Sequence, residues 1–203
     1  MLLGGALLAA FAVVGVALVA LTWQKTAPQI RENERHVLTS TLNEVLPADE
    51  HDNDLLDDAI TVRNEALLGT TEPVTVYRAY QNGEPVAALF TSVAPNGYSG
   101  PIRLLVCVRA DGRLSGVRVL GHRETPGLGD YIEIERSDWI THFENASLEK
   151  PARDEWDVRR YGGHFDQFTG ATITPRAVVR AVKNTLVYFE RHRDDIFAET
   201  AQQ

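Results

Sequence analysis

The chain has 203 residues, with 28 acidic and 20 basic side chains and a formal net charge of −8. This excess of acid argues against nucleic acid as a partner, because phosphate binding needs a basic surface. The single cysteine, Cys107, excludes an internal disulfide, and its place in an apolar run predicts a small core residue instead of a thiol catalyst.

The first predicted element is a membrane span. The run from Leu2 to Leu21 contains no charged side chain. At about 1.5 Å per residue, a helix of this length matches the hydrocarbon core of a bilayer, which is about 30 Å thick. Trp23 and Lys25 follow it and are typical of the membrane interface. We therefore predict a transmembrane helix over residues 1–24.

The next segment, residues 25–70, is predicted to be a stalk helix followed by an acidic connector. Apolar residues at helical spacing precede Pro47, where the helix is expected to end. Between Asp49 and Asp58 the chain has five Asp, one Glu and one His, but not the regular ligand spacing or glycine turn of a metal loop. The pattern favours a solvated acidic loop, and we predict no metal site.

Residues 71–198 are predicted to form one domain, and residues 199–203 a frayed tail. From Pro73 onward the apolar residues recur at every second position, which is typical of strands. The predicted strands cover residues 74–80, 85–93, 102–110 and 114–120. The pairs Asn82-Gly83 and Asp111-Gly112 are turn signals between them. This pattern predicts an α+β fold with a twisted, mostly antiparallel sheet and packed helices.

Two helices are predicted in the second half of this domain. The first covers residues 136–143 and is short. The second runs from Pro175 to about Arg193, with apolar residues at helical spacing. Thr174 is its predicted N-cap and Pro175 its predicted first helical residue.

The segment directly before this helix, residues 166–174, reads Asp-Gln-Phe-Thr-Gly-Ala-Thr-Ile-Thr. A helix N-terminus offers N–H groups and partial positive charge, so it is well suited to bind phosphate. Gly170 and Ala171 leave the backbone open to an anion. Three hydroxyls are candidate attachment points: Thr169, Thr172 and Thr174. An ordinary capped helix after a turn has the same spacing, so the spacing alone leaves both interpretations open.

A second segment, residues 121–129, reads Gly-His-Arg-Glu-Thr-Pro-Gly-Leu-Gly. Its proline and glycines predict an exposed loop with a special backbone conformation. His122 and Glu124 could act as a general acid and base or as metal ligands. We interpret them instead as a hydrogen-bonded structural pair or as polar neighbours of a cofactor.

Both segments resemble the signatures of the FMN-binding subunits of bacterial Rnf and sodium-translocating NADH:quinone reductase complexes. The resemblance covers nearly the whole chain and is closest to the family of Rnf G subunits, called Rsx in some enteric bacteria. It implies covalent FMN, which a separate flavin transferase attaches through the phosphate to the hydroxyl of Thr172. It also implies cofactor contacts in both segments: Asp166, Thr169, Gly170, Ala171, Thr174, His122, Glu124, Thr125, Leu128 and Gly129.

The function that this resemblance implies is an electron relay within an ion-translocating oxidoreductase of the ferredoxin:NAD type. Such a subunit turns over no substrate alone and needs no catalytic residue of its own. Its expected partners are the other subunits of the complex, the flavin transferase and the lipid bilayer. Two alternatives stay open: a non-redox, membrane-tethered assembly or binding module, and a self-contained flavin reductase that acts on a soluble acceptor.

Two features of the sequence predict opposite locations for the domain after the span. Nothing basic precedes the predicted span, whereas Lys25 and Arg31 follow it, so the positive-inside rule alone favours a cytoplasmic domain. The family resemblance instead implies a single-pass protein of the bacterial inner membrane with its soluble domain in the periplasm.

Overall fold

The computed structural model describes residues 2–198, so the predicted tail over 199–203 lies outside the described residues. The chain divides into two compact units, Met1–Thr41 and Leu42–Gln203. The first unit is most of helix α1, which runs from Leu2 to Asn43. The predicted span falls on the first half of this helix.

None of the helices described over residues 2–198 combines the length and the apolar character that crossing a bilayer requires.

The second unit contains a five-stranded antiparallel sheet, in which each strand pairs with the next along the chain. Its strands are β1 (Ala59–Val62), β2 (Val74–Gln81), β3 (Glu84–Ala94), β4 (Ile102–Arg109) and β5 (Leu114–Gly121). Two α-helices accompany them: α2 (Glu65–Leu68) and α3 (Ile173–Phe197). Short 3-10 helices cover Ala48–Glu50, Asp130–Ile132, Asp138–Phe143, Arg153–Glu155 and Arg159–Tyr161. The predicted α+β fold with an antiparallel sheet is confirmed.

The four predicted strands correspond to β2 to β5, but β1 was not predicted. This strand has only four residues, none of them buried, and it pairs along β2 at the edge of the sheet. It lies within the predicted connector, so the compact unit begins earlier than residue 71. The acidic loop is also less solvated than predicted, since Glu50 pairs with Arg109 and Asp58 with Arg78.

Strand β4 explains the continuous apolar run of the sequence, because both of its faces are buried. Val106 belongs to the core cluster that contains the apolar face of α3. Cys107 points to the opposite face and is also fully buried. At the start of the unit, Val45 lies beside Gly116, the β5 partner of Cys107, and the nearby Leu42 and Leu46 are fully buried. Burial raises the pKa of the Cys107 thiol to about 12, in accord with the predicted core role.

Helix α3 begins two residues earlier than predicted, and the prediction that Thr174 is its N-cap is wrong. The cap position is Thr172, whose backbone is already helical and whose side chain makes no capping hydrogen bond. Thr174 lies in the first turn, where its hydroxyl is drawn to the carboxylate of Glu124 and not to the helix backbone. Pro175 still lies in that first turn, where its missing N–H costs nothing.

The packing of α3 on the sheet determines where its first turn lies. Halfway along the helix, the buried hydroxyl of Thr185 lies 2.8 Å from that of Ser92 on β3. This polar contact inside the apolar core favours one register of the helix against the strand. The start of α3 thereby meets the loop after β3 and the loop after β5 at the same end of the sheet.

Candidate functional site

A cleft of about 310 Å³ opens where these three segments meet. It is lined by Tyr98, Glu124, Thr125, Leu128, Gly129, Gly170, Ala171, Thr172, Ile173 and Thr174. The two segments that the sequence singled out are more than 30 residues apart, and the fold brings them together here. Eight of the eleven predicted cofactor residues line the cleft; His122, Asp166 and Thr169 do not.

Glu124 is the central polar residue of the cleft, and its side chain is 4% exposed. Its carboxylate accepts hydrogen bonds from the backbone N–H groups of Tyr98, at 3.3 Å, and Ser99, at 2.9 Å. It also accepts a short hydrogen bond from the hydroxyl of Thr174. One buried carboxylate therefore joins all three segments that form the cleft.

His122 does not line the cleft, but it contacts the backbone of Glu124, which does. Its Nδ1 accepts a hydrogen bond of 2.9 Å from the backbone N–H of Glu124. Its Nε2 lies 2.8 Å from a carboxylate oxygen of Glu133, to which it donates. His122 and Glu124 are thus hydrogen-bonded neighbours, but His122 contacts only the backbone of Glu124, whose carboxylate bonds to Tyr98, Ser99 and Thr174 instead.

The three candidate threonines lie in different environments. Thr174 is 1% exposed, and its hydroxyl is bonded to Glu124. Thr169 is exposed but lies outside the cleft lining. Thr172 is partly exposed and lines the cleft, and its Oγ1 is 3.5 Å from the guanidinium of Arg160.

The turn that presents Thr172 is closed by a hydrogen bond of 3.1 Å from the N–H of Ala171 to the carbonyl of Phe168. Gly170 has a φ of 83° in this turn, in the left-handed region that favours glycine. The Phe168 ring anchors the turn through edge contacts with the ring of Trp139, at a centroid distance of 5.3 Å. Asp166 does not line the cleft and pairs with Arg159 at 2.8 Å.

Three residues of the site were not predicted from the sequence: Tyr98, Ile173 and Arg160. Tyr98 is 68% exposed between two glycines in the loop after β3, and an aromatic residue in such a loop is a recognisable signal. Ile173 lies inside the predicted segment, and its 53% exposure depends on where the helix begins. The contact between Arg160 and Thr172 could not be predicted from their spacing in the sequence, because it depends on how the chain folds.

A second cleft, of about 460 Å³, lies on the other side of Thr172 and Ile173. Arg176 and Arg180 line it, and both contact the carboxylate of Asp157. Burial would raise the pKa of Asp157, but the hydrogen bonds from Arg176 and from the N–H of Val158, with the charges of both arginines, hold it below its ordinary value. Two guanidinium groups therefore share one carboxylate on this side of Thr172, and a second carboxylate, that of Glu65, also lines the cleft.

We expect Asp157→Asn to lower the free energy of unfolding near neutral pH but not in acid. Because the pKa of Asp157 is lowered on folding, its stabilising contribution is complete above the unfolded pKa, about 3.9, and disappears as the pH falls through the folded value. Urea unfolding of both proteins between about pH 7 and about pH 3 measures this. A stability difference that stays constant over this range would contradict the assignment.

We expect Gly129→Ala to lower the free energy of unfolding by about 1–3 kcal/mol, the usual cost of overpacking. A Cβ at Gly129 would lie 2.8 Å from the Cβ of Glu124 and 3.0 Å from the hydroxyl of Thr174. Gly121→Ala is the matched control, because its nearest neighbour, at 3.0 Å, is the flexible end of Arg103. Equal losses in the two variants, measured by urea unfolding, would contradict this role of Gly129.

Among residues 2–198, no group of three or more His, Cys, Asp or Glu side chains is arranged to hold a metal ion.

Comparison with known proteins adds two family matches and a set of close relatives. Residues 97–187 match the FMN-binding domain family, and residues 1–45 match the RnfG N-terminal region. The first match contains every residue that lines the cleft at Thr172.

Proteins named as the G subunit of an ion-translocating oxidoreductase complex are similar over almost their whole length. The protein from Pseudoalteromonas atlantica is 46% identical, over 96% of this chain and 90% of its own. That from Vibrio cholerae is 46% identical, over 95% and 91%. That from Shewanella piezotolerans is 42% identical, over 99% and 95%. On this similarity, the chain belongs to the RnfG family, the G subunits of ion-translocating oxidoreductase complexes.

Proposed function

We propose that this protein is an electron-relay subunit of an ion-translocating oxidoreductase and carries FMN bound covalently to Thr172. The main support is that two segments far apart in the chain, residues 121–129 and 166–174, line one cleft. The hydroxyl of Thr172 lies in the lining of this cleft and is accessible. The match to the FMN-binding domain family and the names of the relatives support the same function.

The cleft suits a flat, partly apolar cofactor. A volume of about 310 Å³ is at the lower end of the range for ligand pockets. Leu128 and Ile173 are exposed apolar side chains at its mouth, and Tyr98 adds an exposed aromatic ring. These groups can pack against an isoalloxazine ring, while Thr172 and the first turn of α3 receive the phosphate.

The environments of the three threonines favour attachment at Thr172. The hydroxyl of Thr174 is buried and already bonded to a carboxylate, which would repel a phosphate. Thr169 is accessible but lies outside the cleft, so a phosphate there would hold the ring away from Leu128. Thr172 alone of the three combines access, a place in the cleft and a neighbouring cation.

When bound, FMN supplies the ability to take up and release electrons one at a time. The protein side chains attach and orient it: Thr172 through the ester bond, and Leu128, Ile173 and Tyr98 through packing. Glu124 holds the walls of the cleft together. Since the side chains at its rim are exposed, the arrangement suits electron exchange with docked partner proteins better than turnover of a small substrate.

Flavin attachment can be tested by producing the protein with and without a flavin transferase in the same host. We expect a flavin-fluorescent band on a denaturing gel only when the transferase is present. Fluorescence that is lost on denaturation would indicate a non-covalent cofactor. The absence of any flavin in both preparations would favour the non-redox assembly module.

We further propose that α1 attaches the protein to the inner membrane and that the second unit lies in the periplasm. For the whole complex, we propose ferredoxin and NAD as the redox partners. Support comes from the uncharged run Leu2 to Leu21, from exposed apolar side chains such as Phe11 and Val19, and from the match of residues 1–45 to the RnfG N-terminal region. An exposed apolar helix of this kind needs lipid or protein around it.

We expect a C-terminal alkaline phosphatase fusion to be active and to remain in the membrane fraction after a carbonate wash. Alkaline phosphatase needs disulfide bonds to become active, so it is active in the periplasm and inactive in the reducing cytoplasm. An inactive fusion at normal expression would support the cytoplasmic orientation that the positive-inside rule favours. Release by carbonate would contradict the anchor.

A further inference from the structure

Two consecutive arginines contact the two ends of the segment that carries Thr172. Both lie in the 3-10 helix Arg159–Tyr161. Arg159 pairs with the carboxylate of Asp166 at 2.8 Å, and the guanidinium of Arg160 lies 3.5 Å from Oγ1 of Thr172. The backbone N–H of Arg160 also donates to the side chain of Gln167, at 3.1 Å. The 3-10 helix and the segment are therefore held against each other at three points.

Arg160 differs from the other arginines near Thr172 because its guanidinium is not paired with a carboxylate of the described residues. Arg159 is paired with Asp166, and Arg176 and Arg180 share Asp157. Within the described part of the chain, no carboxylate pairs with the guanidinium of Arg160, and its side-chain hydrogen bond goes to Thr172. An accessible cation thus points at the hydroxyl that the proposed function modifies, in a protein with a net charge of −8.

We propose that Arg160 neutralises the phosphate on Thr172 and directs flavin attachment to that hydroxyl. This inference rests on the proposed function. Attachment requires an activated FMN, for which a flavin dinucleotide, an FMN phosphoanhydride, is the donor class. Oγ1 of Thr172 forms the new O–P bond as the anhydride P–O bond breaks. The nucleoside monophosphate leaves with the electron pair, the hydroxyl proton passes to solvent, and no group is oxidised or reduced.

The position of Arg160 gives it two effects on this step. Negative charge on the phosphoryl oxygens lies beside its guanidinium both during the transfer and in the diester product, so both are stabilised. A planar guanidinium can also hold two phosphate oxygens at once, which an ammonium cannot. At Thr174 the neighbouring group is the Glu124 carboxylate, whose negative charge disfavours a phosphate there.

The test is the initial rate of flavin attachment to the purified full-length protein, with purified transferase and flavin adenine dinucleotide as the probe. We expect Arg160→Gln to lower the rate by about 10- to 100-fold, the loss typical of a charge-assisted hydrogen bond. Arg160→Lys should recover part of it. Arg113→Gln is the matched control, because that arginine is exposed directly before β5 and pairs with Asp111.

Salt dependence separates a charge effect from a structural one. Because Arg160 is exposed, its advantage over Gln should shrink as sodium chloride rises from about 0.05 M to about 0.5 M. A second readout is the thermal midpoint of unmodified and flavin-bearing protein. Flavin attachment should raise the midpoint less in Arg160→Gln than in the natural protein, because the ion pair with the diester is missing.

The outcomes distinguish this inference from the proposed function. If the natural protein gains flavin at Thr172 and Arg160→Gln does so at the same rate and with the same salt dependence, the role of Arg160 is overturned while the carrier function stands. If the natural protein gains no flavin, the proposed function fails first. An equal rate loss in Arg113→Gln would also overturn the assignment, since it would reveal a general effect of net charge.

Discussion

Thr172→Ala is expected to abolish covalent flavin completely while the domain stays folded. The hydroxyl is the proposed ester oxygen, and its two neighbouring threonines cannot replace it. Thr174 is buried against Glu124, and Thr169 lies outside the cleft. Because Thr172 is partly exposed and makes no capping bond, we expect its loss to change the free energy of unfolding by less than about 0.5 kcal/mol.

Thr169→Ala is the matched control, because it removes an accessible hydroxyl from the same turn. We expect it to retain flavin fully on a denaturing gel. Thr172→Ser retains a hydroxyl and should also accept flavin. Flavin retained in Thr172→Ala but lost in Thr169→Ala would move the attachment to Thr169 and contradict the proposed site.

Glu124→Ala is expected to have the largest effect on stability among the cleft residues. It removes the acceptor of three hydrogen bonds and leaves the N–H groups of Tyr98 and Ser99 and the hydroxyl of Thr174 without a partner. The Thr174 hydroxyl is buried and the two N–H contacts are partly buried, so loss of this shared acceptor should lower the free energy of unfolding by about 3 kcal/mol. The loops should then separate from α3, so flavin attachment should also slow.

Urea unfolding of the flavin-free protein measures this effect without any contribution from the cofactor. Glu133→Ala is the control, because this glutamate belongs to the same part of the chain but is partly exposed and bonds mainly to His122. We expect it to cost less than about 1 kcal/mol. If Glu124→Ala cost no more than Glu133→Ala, Glu124 would not be the group that holds the cleft together.

The sheet could be predicted from the sequence wherever local pattern and burial agree. β2 to β5 alternate or are continuously apolar, and the turn at Asn82-Gly83 uses the left-handed backbone that this pair favours. β1 could not be predicted, because four half-exposed residues become a strand only by pairing with β2. The start of helix α3 was predicted wrongly for a similar reason, since Glu124 captures the hydroxyl that a local rule assigns to a cap.

The candidate site was predictable to the extent that it resembles a known signature. Both segments were identified from their residues. That they line one cleft could not be predicted, because they are far apart in the chain. The direction of individual side chains was not predictable. Asp166 looks like part of the site in sequence, yet it pairs with Arg159 and does not line the cleft. Arg160 looks like an ordinary surface residue, yet it contacts Thr172.

Covalent attachment of FMN to Thr172 can be read directly from the mass of the protein purified from its own host. Intact mass spectrometry followed by peptide mapping should find one added FMN phosphoryl group, located on the peptide that contains Thr172. An unmodified mass from cells that contain an active flavin transferase would contradict covalent attachment, and FMN located on another residue would contradict attachment at Thr172.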